Sequence, residues 1–165
     1  ENDNRILFLE EVVKRGWKLK LYGPGYEWND IIKKSLYLNK LLPIDLVWGE
    51  DYNNALCNSK IALCFLSKVN NDTYTRRCFE IPATETLLMA EKTSDLKSLF
   101  QENNEAVFFE KINDFGEKLD KLLNNKNEIK RIARNGNIRI WKDGHDINSR
   151  VKYILKIINE FERKR

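Results

Sequence analysis

The sequence predicts an α/β fold, a Rossmann-like parallel sheet with helices on both faces, and three observations carry that prediction. Strand-like runs alternate with helical periods along the chain, the pattern of successive βαβ units. The run Ile61-Ala62-Leu63-Cys64-Phe65-Leu66 is apolar throughout, as a strand covered on both faces should be. The 165 residues are 42% hydrophobic and 33% charged, which suits one ordinary globular domain over residues 1–165 with a full core.

The elements follow in order. Arg5 to Arg15 sets Ile6, Leu7, Leu9, Val12 and Val13 at helical spacing, and Gly16 stands at the C′ position that ends such a helix. Trp17 to Tyr22 alternates and reads as a strand. It runs into Gly23-Pro24-Gly25, a tight turn at a strand's carboxyl end where a ligand can approach the backbone. A plain connecting turn is the competing reading. Glu27 to Asn39 reads as a helix with Trp28, Ile31, Ile32 and Leu36 inward, broken by Pro43. Ile44 to Trp48 is a short strand ending at Gly49, and Asp51 to Ser59 a short helix with Tyr52, Ala55 and Leu56 on one face. After the strand at Ile61 comes a polar loop, Ser67 to Asp72, and then a short helix beginning near Tyr74 to Cys78. Pro82 limits how early it starts, because an interior proline removes a hydrogen bond. Thr86 to Ala90 and Ala106 to Phe109 are the last strands, with a helix through Phe100 between them that Ser94 or Asp95 caps. Three helices close the chain. The first runs from Asn113 or Asp114 to Leu123. The second runs from Asn127 to Lys142, with Ile129, Ile132, Ala133 and Ile140 inward and Asn135-Gly136 placed to interrupt it. The third runs from Ile147 to Phe161, with Val151, Ile154, Leu155 and Ile158 buried.

The chemistry gathers in Thr73-Tyr74-Thr75-Arg76-Arg77-Cys78-Phe79-Glu80-Ile81-Pro82-Ala83. This stretch follows the strongest strand, at the edge where open α/β sheets bind ligands. A helix N-terminus there offers unpaired N–H groups and the positive end of the macrodipole. Arg76 and Arg77 add two forked cations suited to phosphate. Glu80 would repel phosphate, yet it can accept hydrogen bonds from a sugar diol, as acidic residues do for ribose in dinucleotide folds. A surface ion pair between Arg76 and Glu80, four residues apart, competes with that reading on equal terms.

The same residues resemble a known family. Arg77-Cys78-Phe79-Glu80-Ile81-Pro82-Ala83, then Leu87-Leu88, Glu91, Leu96 and Leu99-Phe100, then Glu105-Ala106-Val107-Phe108-Phe109 are similar to the spore-maturation-type glycosyltransferases. Their pattern is R-x-F-E-I-x-A-x-G, a leucine pair and E-A-V-x-F. Ile132-Ala133-Arg134-Asn135-Gly136 and His145 to Val151 fit the C-terminal helices of that family. The resemblance implies the C-terminal, donor-binding half of a GT-B glycosyltransferase, a nucleoside diphosphate sugar as donor, no bound metal or other cofactor, and an acceptor-binding domain missing from this chain. Arg76 and Arg77 would then stabilise the leaving diphosphate, and Glu80 would hold the ribose. Gly23, Gly25, Trp48, Gly49, Tyr74 and Thr75 would line the nucleotide site. In that family a central strand precedes the equivalent of the first helix. The present chain begins on the helix, so a sheet lacking its first strand, gapped or distorted there, is expected. Where the family carries glycine two residues after the alanine, this chain has Glu85. A side chain and charge near the donor pocket would count against ordinary donor binding and for a non-catalytic interaction module that keeps the fold.

Other classes are disfavoured. A net charge of +4 spread among acids does not argue for nucleic acid, and no apolar run approaches the ~20 residues of a membrane span. The opening Glu1-Asn2-Asp3-Asn4 lacks signal-peptide character, which sets a cytoplasmic location as the expectation. Cys57, Cys64 and Cys78 have no metal-type spacing, and a cysteine nucleophile would depend on the one histidine, His145. A phosphate-receiving regulator would need acidic strand ends, where the chain has Gly23, Gly49 and Ser67.

Overall fold

The computed structural model describes residues 4–163; Glu1 to Asp3 of the polar opening lie outside that range. The chain runs α1 (Arg5–Lys14), α2 (Gly25–Lys33), a 3-10 turn (Asn39–Leu41), α3 (Gly49–Cys57), β1 (Ile61–Cys64), α4 (Arg77–Ala83), β2 (Leu87–Glu91), α5 (Ser94–Leu99), β3 (Val107–Phe109), α6 (Ile112–Leu123), α7 (Lys126–Lys142) and α8 (Ile147–Glu162). Among these residues no helix is long and apolar enough to cross a membrane.

Apolar strands build the centre. β1, β2 and β3 form a parallel sheet in that order, with Ile61 opposite Leu87 and Met89 opposite Val107. Side chains alternate across a strand. Leu87, Met89, Val107 and Phe109 therefore meet Val12 of α1, Phe115 and Leu119 of α6, and Ile129 and Ile132 of α7 on one face. Leu88, Ala90 and Phe108 meet Cys78 and Ile81 of α4 and Leu96 of α5 on the other. All five residues of β2 except Glu91 are buried, and each large apolar side chain so buried contributes roughly 1.5–3 kcal/mol. This is the Rossmann-like half-fold that the alternation predicts: an open parallel sheet between two helical layers.

Two expected strands do not join the sheet. Trp17 to Tyr22 and Ile44 to Trp48 are extended but form no ladder. A backbone hydrogen bond from Gly23 N–H to the Asp45 carbonyl (3.1 Å) ties them together. Their inward residues still find cover. Trp17, Leu19 and Leu21 pack on the core, and Ile44 is buried with Leu9, Ile32 and Leu38 in a third cluster. Alternation buries one side of the first segment, whereas in the second Ile44 is buried and Leu46 and Trp48, on the same side, stand exposed; among the described residues neither segment pairs with β1.

The helices also depart from expectation in three places. α2 ends at Lys33, well before Pro43. The Ser35 hydroxyl donates to Glu10 Oε1 (2.6 Å) and accepts from Leu38 N–H (3.1 Å), a local bonding scheme that competes with the helix. Leu36 consequently lies exposed. No residue of α8 is buried, and none joins any of the three core clusters. Val151, Ile154, Leu155 and Ile158, expected inside, are about half exposed. The period of the stripe was readable, but it did not specify a surface to cover it.

α7 runs unbroken through Asn135-Gly136. A Cβ at Gly136 would overlap the Glu105 carbonyl oxygen and touch Pro82, so glycine is what lets α7 lie against the loop before β3. We expect Gly136→Ala to cost about 1–3 kcal/mol, as overpacking does, seen as a lower urea midpoint with unchanged m-value.

Candidate functional site

The carboxyl ends of the two extended segments and the starts of α3 and α4 frame a cavity of about 590 Å³. Its walls include Gly23, Trp48, Gly49, Arg76, Arg77 and Glu80, so six of the nine residues singled out by sequence converge on one space. Arg5, Glu27, Trp28 and Tyr52 complete the charged and aromatic lining.

α4 positions the charged groups. Cys78, Ile81 and Pro82 are its buried residues. With those positions inside, Arg77 and Glu80 emerge on the cleft side. Arg76 is the N-cap residue, and its Nε pairs with Glu80 Oε1 at 2.7 Å. Tyr52 of α3 donates its hydroxyl to Glu80 Oε2 (2.9 Å). The Arg77 side chain makes no hydrogen bond or ion pair with any described residue. Burial, then the contact with Glu80, pushes the Tyr52 phenol up to about 12, so it stays a donor and fixes the carboxylate. A carboxylate has about four lone-pair sites, and two are occupied here, leaving acceptors open towards the cavity. Tyr52 was read from sequence only as one apolar-face residue of a helix. Its partner lies 28 residues away, and no local signal shows that. Arg5, at the start of α1, likewise reaches the cavity without a motif; its guanidinium also sits 5.9 Å from the centre of the Phe65 ring.

Three sequence candidates stand elsewhere. Gly25 opens α2, where a Cβ would come within 2.8 Å of the Ile44 carbonyl; it is a packing contact outside the cavity lining. Thr75 turns its hydroxyl towards the buried thiols of Cys64 (3.7 Å) and Cys78 (4.0 Å). The two sulfurs are 3.6 Å apart, and that contact together with burial pushes the Cys64 thiol up. Tyr74 lines a second cavity, of about 710 Å³, on the far side of Arg76 and Glu80. His145 also lines it. Its ring packs on Phe79 with centroids 4.6 Å apart, and its Nδ1 lies 2.6 Å from Arg150 Nη2. A guanidinium only donates, so Nδ1 accepts and the imidazole proton resides on Nε2. Burial, then Arg150, holds His145 below its ordinary pKa.

Glu85 lines neither cavity. It has φ +56° at the end of α4, where its N–H bonds the Pro82 carbonyl (3.0 Å) and Thr86 N–H bonds that of Ile81 (3.4 Å). This is a Schellman cap with Glu85 at C′. α1 ends the same way on Gly16 and α7 on Gly144, both with positive φ. The departure from the family pattern therefore falls on a helix cap and adds no group to the cleft.

An open parallel α/β unit with a cationic and carboxylate cleft at its strand ends belongs to the class of folds that bind ligands at that edge. The sequence profile described as glycosyl transferase-like matches residues 5–156, and the chain belongs to that family. No curated protein sequence matches it.

Two expectations follow. Replacing Glu85 with glycine relieves the left-handed strain, so Glu85→Gly should raise stability by roughly 1 kcal/mol in thermal or urea unfolding, with ligand binding unchanged. The phenol of Tyr52 holds its proton more tightly when folded. Its contribution is complete below pH 10 and fades as pH climbs to about 12. Tyr52→Phe should accordingly cost about 1 kcal/mol at neutral pH, with the difference from wild type shrinking across that alkaline window.

Proposed function

We propose that this chain is the donor-binding half of a GT-B glycosyltransferase and takes a nucleoside diphosphate sugar in the 590 Å³ cavity. The observation that carries the reading is the pairing of an Arg77 guanidinium that has no ion-pair partner among the described residues with a carboxylate held in place by Tyr52, both on the wall of one cleft. Arg76 and Arg77 stand there beside Glu80, an arrangement that suits an anionic ligand with a neutral polyol attached. The diphosphate would lie against Arg77 and Arg76, and the ribose diol against Glu80. Trp28, Trp48 and the Gly23 and Gly49 backbone supply walls for a base.

In glycosyl transfer the bond from the anomeric carbon to the diphosphate oxygen breaks as an acceptor oxygen attaches. Negative charge grows on the departing diphosphate. Guanidinium groups already aimed at it stabilise that charge more in the transition state than in the ground state, which is the condition for catalysis. A separate domain would close the acceptor side of the cleft. The competing reading, a non-catalytic module, drew its support from Glu85, and that residue stands at a helix cap instead.

Titrating the chain with UDP, GDP, ADP, CDP and dTDP tests the proposal by calorimetry and thermal shift. One of the four ribonucleotides should bind, with affinity that falls as salt rises, and dTDP, which lacks the 2′-hydroxyl, should bind more weakly. Arg77→Ala should weaken it by about 10- to 100-fold, the loss of a charge-assisted hydrogen bond. Glu80→Ala should erase the preference for the ribonucleotide over its 2′-deoxy form. Absence of binding by all five supports the non-catalytic module.

A further inference from the structure

The second cavity, about 710 Å³, has a lining of a different kind. Its floor is aromatic. Phe79 meets the edge of Tyr74 at 5.8 Å between centroids and the face of His145 at 4.6 Å. Tyr74 and Trp141 also line it and remain 48% and 58% exposed, so flat apolar surfaces stand open to water inside a concavity. Small-molecule sites combine such walls with a few fixed polar groups, and here the polar groups are fixed. Asp95 accepts from the Thr73 hydroxyl (2.6 Å), Asp146 from Ser149 N–H (3.0 Å), and Arg150 is held by His145. Each carboxylate keeps lone pairs for a further donor.

Charge decides the ligand class. Glu80, Asp95 and Asp146 face Arg76 and Arg150, so acids outnumber cations, the reverse of the first cavity. A phosphate or other anion is disfavoured. An uncharged ligand with one apolar face and many hydroxyls satisfies both the rings and the carboxylates, and a pyranose has that form. We propose that this cavity binds a neutral saccharide. Because Arg76 and Glu80 belong to both cavities, the saccharide lies beside the nucleotide sugar and is the glycosyl acceptor. The acceptor role rests on the donor reading above; saccharide binding does not.

Four tryptophans make the test internal to the chain. Trp28 and Trp48 line the first cavity and Trp141 the second, while Trp17 donates its indole N–H to Asp120 (2.7 Å) and serves as a control. The four indole N–H resonances of the ¹⁵N-labelled chain are followed in two titrations. One uses methyl glycosides of common hexoses and N-acetylhexosamines, the other the nucleoside diphosphates. Glycosides should shift Trp141 saturably and leave Trp17 and Trp48 in place. Saturation transfer to the glycoside should vanish in Trp141→Ala and persist in Arg77→Ala. Nucleoside diphosphates should show the opposite dependence. No movement of Trp141 up to about 50 mM glycoside, well above a millimolar Kd, overturns the saccharide site, as does transfer that survives Trp141→Ala. Glycoside binding without any nucleoside diphosphate binding upholds the site and overturns its role as acceptor site.

Discussion

The seat of α4 on the sheet governs the rest of the site. Cys78, Ile81 and Pro82 are the buried residues of a seven-residue helix, and Ile81 and Cys78 pack with Leu88, Ala90 and Phe108 on one face of the strands. Helical geometry then leaves little choice for the intervening positions. Residues three and four apart share a face, so burying 78, 81 and 82 sends 77 and 80 outward and brings 76 beside 80. Arg76, Arg77 and Glu80 thus reach the cleft as a consequence of hydrophobic burial one side chain away. A short helix has little stability of its own, and this one is held from several sides. The Asn137 side chain donates to the Pro82 and Ala83 carbonyls at 2.9 and 3.0 Å, which ties its end to α7, while the thiol contact between Cys64 and Cys78 joins its first turn to β1.

What could be read from the sequence divides along the range of the interactions. The apolar runs at Ile61 and Leu87 and the helix after Thr75 are local signals, and the sheet and α4 stand where those signals put them. The Arg-x-Phe-Glu run could be located at the ligand edge because strand and helix order alone sets that edge. Trp17 to Tyr22 and Ile44 to Trp48 misled for a physical reason. Apolar residues along an extended segment report that it packs on something, as Trp17, Leu19, Leu21 and Ile44 do, but a ladder also needs a neighbouring strand. α8 misled in the complementary way, since its period describes a stripe without naming what covers it. Tyr52 and Arg5 were invisible because their roles depend on contacts across the fold, and α2 stopped early because Ser35 found Glu10, 25 residues away.

Glu85 shows how a family pattern should be converted into geometry before it is used. Read as a motif position, glycine near the alanine looks like part of the donor pocket. In the structure it is the C′ residue of a Schellman cap, the position that α1 and α7 fill with glycine. The requirement is left-handed backbone, and a glutamate meets it at a cost of about 1 kcal/mol or more. The substitution therefore bears on stability, and its bearing on chemistry is indirect.

The ion pair between Arg76 and Glu80 is the boundary between the two cavities, and its strength decides how a ligand would treat it. The Arg76 side chain is 87% exposed and that of Glu80 31%, so the pair sits largely in water, where such contacts contribute about 0–1 kcal/mol. A diphosphate drawing Arg76 away would lose little of that and gain charge-assisted bonds of about 1.5–3 kcal/mol. Glu80 would stay where it is, because the Tyr52 hydroxyl, with its proton firmly held, bonds the other carboxylate oxygen. On the proposed reading, then, the exposed arginine is the movable member and the tyrosine-held glutamate the fixed one. One weak contact can close the wall between the cavities in the empty protein and open it when an anionic donor arrives, without any change in the helix that carries both residues.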